Sequence, residues 1–166
     1  MPPFFIHQQS EMTETEFKFQ DTALQKMLKG ILSRLGNIRP AAELMGEIAL
    51  ESIQTNFEEG GRPTKWKPVA DATIRQRRRL GKWPGRILVR QGYAGGLMGA
   101  VAYTALNDRV VVVANKVYAR IHHLGGKAGR GHKVDIPARP YMMIQDEDWA
   151  EMKEELTKYV IHGGAA

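Results

Sequence analysis

The chain has 166 residues with no cysteine, 43% of them hydrophobic and 25% charged, and a formal net charge of +6. That length suits one domain with a real core, and the missing cysteines exclude disulfides and Cys-ligated zinc or iron–sulfur centres. No apolar run approaches the roughly 18–20 residues that a membrane-spanning helix needs, and Met1–Ile6 lacks the basic start of a signal peptide, so a cytosolic origin is expected.

The charge is unevenly placed. Arg62 to Arg90 holds ten Lys/Arg against Asp71 alone, a net +9 that leaves the rest of the chain at −3. Such asymmetry predicts a partner of opposite sign, either nucleic acid or the acidic face of another subunit.

Residues 1–12 read as an arm: prolines and polar residues surround Phe4, Phe5 and Ile6 without a sustained period. Phe17 and Phe19 alternate with polar residues, as in a short strand. Leu24, Met27, Leu28, Ile31, Leu32 and Leu35 form one apolar helical stripe, closed by Gly36-Asn37. Pro40 suits the first turn of a second helix, with Ala41, Leu44, Met45, Ile48 and Ser52 on its inner face and an end near Phe57. The short link predicts an antiparallel helical hairpin.

Glu59–Pro63 break the second helix, and a loop carrying Trp66 follows. A third helix is expected over Asp71–Leu80, with Ala70, Ile74 and Leu80 inward and Arg75, Arg78 and Arg79 outward. Ile87-Leu88-Val89 is a short apolar run, followed by glycines at 92, 95, 96 and 99. Ala100–Leu106 and Val110–Ala114 flank Asn107-Asp108-Arg109 as a β-hairpin would. Tyr118–Leu124 suits one or two helical turns, and Lys127–Lys133 reads as a mobile basic loop. Val134–Ile136 and Tyr141–Ile144 read as strand pieces. A last helix begins at the acids Asp146-Glu147-Asp148 and buries Trp149, Met152, Leu156, Tyr159 and Val160. The expectation is one α+β domain over 1–166: an N-terminal helical hairpin and a C-terminal helix packed on a small antiparallel sheet.

Few residues suggest chemistry. His122, His123 and His132 lie close in sequence to Asp135, but adjacent histidines point apart on a helix and no ligand stands at i+4. There is no Gly-x-Ser-x-Gly elbow, and the serines fall on the arm or the helical half. The acids cluster at helix ends, where solvation accounts for them. The glycines after Val89 could cradle a phosphate, yet Asn115-Lys116 stands where a dinucleotide fold places its acid, and no βαβ units follow. No catalytic residue, metal or cofactor is expected. Arg75, Arg77, Arg78, Arg79 and Lys82, with Trp66 and Trp83 nearby, could instead neutralise phosphates and stack bases. A basic accessory protein that binds nucleic acid therefore stays open, although no helix-turn-helix, RNA-recognition or zinc-finger pattern is present.

From the second helix onward the order of signals resembles the phage virion morphogenesis family. Phe57 at a helix end leads to Trp66 with Pro68, then to the basic run Arg75–Arg79, Ile87-Leu88-Val89, Gly92 and the hairpin. Tyr118-Ala119-Arg120-Ile121-His122 with Gly125-Gly126 follows, and then Pro137-Ala138-Arg139-Pro140. The resemblance spans roughly Leu44 to Asp148. It departs at Gln91–Ala94, where the family has a Thr-Gly-x-Leu turn, and residues up to about Met12 look like an addition.

The resemblance implies a non-enzymatic virion protein of the tail or neck, assembled in the host cytoplasm, that completes or terminates the tail tube and lets the head join. Its implied partners are further copies of itself in a ring, six by analogy with tail tubes, the tail-tube protein, and head–tail connector or neck proteins. DNA passing the lumen is a further, non-specific contact, and no membrane is involved. Trp66, Tyr118, Ala119, His122, Gly125, Gly126, Pro137, Ala138, Arg139 and Pro140 are then structural. Gly125-Gly126 would permit positive backbone angles, Tyr118 and His122 would share a face against the core, and Arg139 would anchor to a carboxylate or helix end.

Overall fold

The computed structural model describes residues 22–89 and 96–163. The readings of an arm over residues 1–12, a strand at Phe17–Phe19 and a turn at Gln91–Ala94 lie outside the described residues.

The central element is helix α2, Arg39–Glu59, with Pro40 in its first turn. Its end is set by Gly60, whose φ of 70° and ψ of 36° place it in the left-handed region that glycine adopts without penalty. One flank packs on a hairpin of β1, Val101–Ala105, and β2, Val110–Ala114; the other packs on α5, Asp146–His162. A helix covered on both flanks needs a wide buried face, so Ala41, Ala42, Gly46, Ala49, Ser52, Ile53, Asn56 and Phe57 are all buried. Leu44, Met45 and Ile48, expected at the centre, are only half-buried.

Small residues let the layers approach. The Tyr103 ring of β1 lies over Gly46, and a Cβ there would stand 2.2 Å from Tyr103 Cδ2. β1 and β2 pair antiparallel in the register Val101–Ala114 to Ala105–Val110. Val101 and Ala105 turn into the core while Val111 and Val113 stay exposed on the outer face.

Helix α1, Thr22–Leu35, connects to α2 by the expected short link, but its contacts run to α5. Arg34 fastens it there, donating from Nε to the Val160 carbonyl at 2.7 Å and from Nη2 to the Ile161 carbonyl at 3.0 Å. These are carbonyls of the last helical turn, which lack partners within their own helix. The apolar stripe of α1 is not core: Met27, Leu28, Leu32 and Leu35 are 50–69% exposed.

Helix α3, Asp71–Arg79, is short. Helix α4, Ala119–Leu124, runs into a second hairpin, β3 at Gly126–Ala128 paired antiparallel with β4 at Val134–Ile136. The expected mobile loop at Lys127–Lys133 is instead the tip of this hairpin: Lys127 and Ala128 are strand, Arg130–His132 form a 3-10 turn, and Gly129 and Gly131, both at positive φ, let the chain turn back on itself. Tyr141–Ile144 form no strand. Their carbonyl groups are taken by a side chain: Asn56 Nδ2 donates to Tyr141 O at 2.9 Å and to Met143 O at 2.7 Å. Trp149, expected inside, is 48% exposed, and Met152 is the buried residue of α5.

Helices packed on small antiparallel sheets make the architecture α+β. The core joins Ile53, Phe57, Trp66, Leu97, Met98, Val101, Ala119 and Tyr141. A polar node closes the end of α2 against the start of α5. Arg62 donates to Asn56 Oδ1 and to the Ser52 carbonyl, both at 2.9 Å, and lies 3.5 Å from Asp148. Ser52 Oγ donates to the same Asp148 carboxylate.

Candidate functional site: a signature corner and two charged faces

The glycine and proline signature folds into one corner. Phe57 at the end of α2 meets Trp66 edge-on at 5.8 Å and Tyr141 at 5.1 Å. Trp66 Nε1 donates to Pro140 O at 3.3 Å, and the Tyr141 hydroxyl donates to Ala119 O at 3.2 Å. Each buried aromatic thus keeps its polar atom satisfied while burying its ring.

Arg139, 6% exposed, works as a staple. Its Nε and Nη2 donate to Lys67 O at 3.2 and 3.0 Å, and Nη2 also to Pro68 O at 3.2 Å. Its expected partner was a carboxylate or helix end; the actual partners are loop carbonyls that no strand or helix satisfies. The Arg139 backbone N–H donates to His122 O at 2.9 Å, which locks the segment Pro137–Pro140 onto α4. Gly125, at φ 75°, lies beneath it, and a Cβ there would meet Ala138 N at 2.7 Å. Only glycine fits on both counts.

The histidines part company. His123 packs edge-on against Tyr141 at 5.2 Å and accepts a long hydrogen bond from Met142 N at 3.5 Å. His122 stacks edge-on with Tyr118 at 5.8 Å. Tyr118, expected against the core, is 40% exposed, since the turn before α4 leaves it at a rim. Burial pushes both imidazoles below their ordinary pKa, helped for His122 by the Arg139 charge. The His122 Nδ1 is buried without a hydrogen-bond partner. Among the described residues no three His, Asp or Glu side chains converge as a metal site would require.

Tyr118, His122, Pro137 and Arg139 share the wall of a hollow of about 520 Å³ with α3 and with Leu88 and Leu97. Arg77 also faces it, which corrects the expectation that this arginine is a surface contact for DNA or a neighbour. It is 7% exposed and donates from Nη1 to Gly85 O at 3.2 Å and Arg86 O at 2.9 Å. The reason is helical phase: Arg77 follows Thr73 and Ile74 on the inner face of α3, while Leu80, expected inside, is 51% exposed just past the helix end.

Arg75, Arg78, Arg79 and Lys82 do lie exposed, forming one basic face. Elsewhere α2 presents Glu43, Glu47 and Glu51 at successive i, i+4 positions, and α5 presents Asp146, Glu147, Glu151 and Glu154, all exposed. Trp66, a candidate for stacking on bases, is 6% exposed and closed inside the corner.

The described residues form a small α+β unit with an interlocked motif corner and charged faces of opposite sign. The chain matches the phage virion morphogenesis family over residues 19–161 and belongs to it. It is 35% identical over 138 residues to the Mu-like prophage FluMu G protein 2 of Haemophilus influenzae, covering 83% of this chain and 86% of that one. It is also 31% identical over 104 residues to an uncharacterized protein of Methanocaldococcus jannaschii, covering 60% of this chain and 68% of that one. No solved structure matches. The role is therefore structural, in building the virion, and the protein is virion-associated. No described helix is long and apolar enough to cross a membrane.

Proposed function

We propose that the protein is a non-enzymatic tail-completion or tail-terminator subunit that assembles as a ring, six-membered by analogy with tail tubes. The ring caps the tail tube at the neck and allows the head to join through the connector proteins. The observation that carries this reading is the separation of charge between α3 and the outer faces of α2 and α5. A closed ring repeats one patch against a different one, so a head-to-tail contact calls for two unlike, complementary surfaces on one subunit. DNA in the lumen would meet basic loops only as a weak, sequence-independent contact.

Light scattering and negative-stain microscopy, with and without tail-tube protein, test the proposal. Rings, or subunits that cap tubes, are expected, and Arg75→Glu with Arg78→Glu and Arg79→Glu should abolish them while leaving the melting temperature nearly unchanged. A monomer that ignores tubes and binds DNA with a steep salt dependence would overturn it in favour of a nucleic-acid accessory role.

A further inference from the structure

Among the described residues β1 and β2 pair only with each other, so each strand keeps one outer edge. The register fixes which backbone groups face outward. Asn115 N donates to Ala100 O at 3.0 Å and Leu106 N to Arg109 O at 2.8 Å, at the two ends of the ladder. Antiparallel pairs alternate between bonded and non-bonded, so Ala102–Val113 and Thr104–Val111 are the bonded pairs in between. The backbone groups of Val101, Tyr103 and Ala105 therefore point away from β2, and those of Val110, Val112 and Ala114 away from β1. The Val101 N–H turns back to Met98 O, and the Ala114 carbonyl accepts from Lys116 N at 2.9 Å. The N–H and C=O of Tyr103, Ala105, Val110 and Val112 have no hydrogen-bond partner within the chain.

Folds rarely bury backbone groups unpaired, so both edges stand open to water or to another strand. Proteins usually blunt such edges with charge, proline or a bulge. Here β1 reads Val-Ala-Tyr-Thr-Ala and β2 Val-Val-Val-Val-Ala, without charge or proline, and their register runs without a bulge. The second hairpin is the contrast, since β3 holds Lys127 and β4 holds Asp135. Val111 and Val113, 37% and 47% exposed, add apolar side chains on the outer face of β2. We propose that the outer edge of β2 in one copy pairs antiparallel with the outer edge of β1 in the next, joining their hairpins into one sheet. The inference rests on the self-assembly proposed above and names one contact within it.

A second copy fits because β1 brings the complementary edge. Val112 would stand opposite Tyr103 of the neighbour and Val110 opposite its Ala105, each pair exchanging both backbone hydrogen bonds. All four residues belong to the core side of their hairpin: Tyr103 lies over Gly46, Ala105 is buried and Val112 packs on the core, with Val110 two residues away in phase. Pairing them keeps core side with core side, and sets Val111 and Val113 beside the neighbour's Ala102 and Thr104 on the other. A β2–β2 contact would be two-fold and would use up that edge in both copies. Pairing β2 with β1 leaves one edge of each kind at the ends, so it continues until a ring closes. Copies related by rotation about an axis along the strands keep their strand sense, which makes the new pair antiparallel.

The chain has no cysteine, so engineered thiols report the contact without background. Ala102→Cys or Thr104→Cys on β1 and Val111→Cys or Val113→Cys on β2 all alter exposed side chains. Each β1 variant is mixed as full-length protein with each β2 variant, assembled and oxidised with copper phenanthroline. Non-reducing gels and mass spectrometry should find a disulfide joining a β1 variant to a β2 variant in at least one mixture. Either variant alone should give about tenfold less, because a disulfide needs Cβ atoms within about 4.5 Å. Links only between like variants would show a two-fold contact and overturn the inference, as would no links in any mixture. Microscopy of the same samples separates the two failures. Rings without these links leave the assembly reading standing and remove the strand pairing. Links without rings keep the pairing and remove the ring, and the absence of both removes both.

Discussion

The signature corner and helix α1 are both rich in apolar residues, yet the fold treats them in opposite ways. In the corner, Phe57, Trp66 and Tyr141 are 0–6% exposed, and their surroundings are tied by hydrogen bonds from side chains to carbonyls roughly seventy residues away in sequence. In α1 no residue is buried, and Arg34 donates hydrogen bonds to carbonyls of α5. The difference lies in backbone polar groups. A loop that must be buried needs donors supplied from elsewhere, and the corner supplies them; a helix satisfies itself and can lie on a surface with little else to hold it. Apolar periodicity shows that a face prefers burial, and leaves open what covers it.

The largest effect should come from breaking the corner. Phe57→Ala removes the ring that both Trp66 and Tyr141 pack on and is expected to cost about 3–5 kcal/mol, read by urea denaturation. Arg139→Met should follow at about 1–3 kcal/mol, because it keeps the apolar stem but leaves the Lys67 and Pro68 carbonyls without their donors. An unchanged denaturation midpoint for Arg139→Met would show that those loop carbonyls are hydrated and that the staple is dispensable.

Much of the corner is legible in the sequence, and the exposure of α1 is not. Gly125 and Pro137–Pro140 announce a tight crossing, and the hairpin around Asn107-Asp108-Arg109 follows from β-branched residues beside turn formers. The partners of Arg139 were not legible, since loop carbonyls leave no mark in a sequence. Asn56 and Arg62 are silent in the sequence for the same reason: a polar residue signals a network only once its hydrogen-bond partners are in place. Arg77 offered a fainter signal. It follows Ile74 by three positions, which places both on one face of α3. Gly46 inside α2 reads as a cost in the sequence, and the Tyr103 ring above it supplies the reason.

A smaller effect lies in pH. The folded pKa values of His122 and His123 lie below their unfolded value of 6.5, so the unfolded chain binds protons more readily. Stability from this source is complete above about pH 6.5 and declines as pH falls through that value toward the folded pKa values. His123→Gln should flatten the slope of stability between about pH 6.5 and 5. A slope unaltered by His123→Gln and by His122→Gln would place the pH response in other groups.

The smallest effect should come from α1. Leu32 is 69% exposed and Leu28 50% exposed, so Leu28→Ser with Leu32→Ser should change the stability of the isolated subunit by about 0.5 kcal/mol or less per site. The same double variant is informative on assembly. An apolar face left open in a single subunit becomes costly to alter only where a neighbour covers it. If ring formation is unaffected while the denaturation midpoint holds, α1 is a free surface and the charged faces carry the contact between copies. If rings are lost with the midpoint unchanged, α1 belongs to the interface, and its contrast with the corner is one of timing: the corner buries its apolar side chains when the chain folds, and α1 when the copies meet.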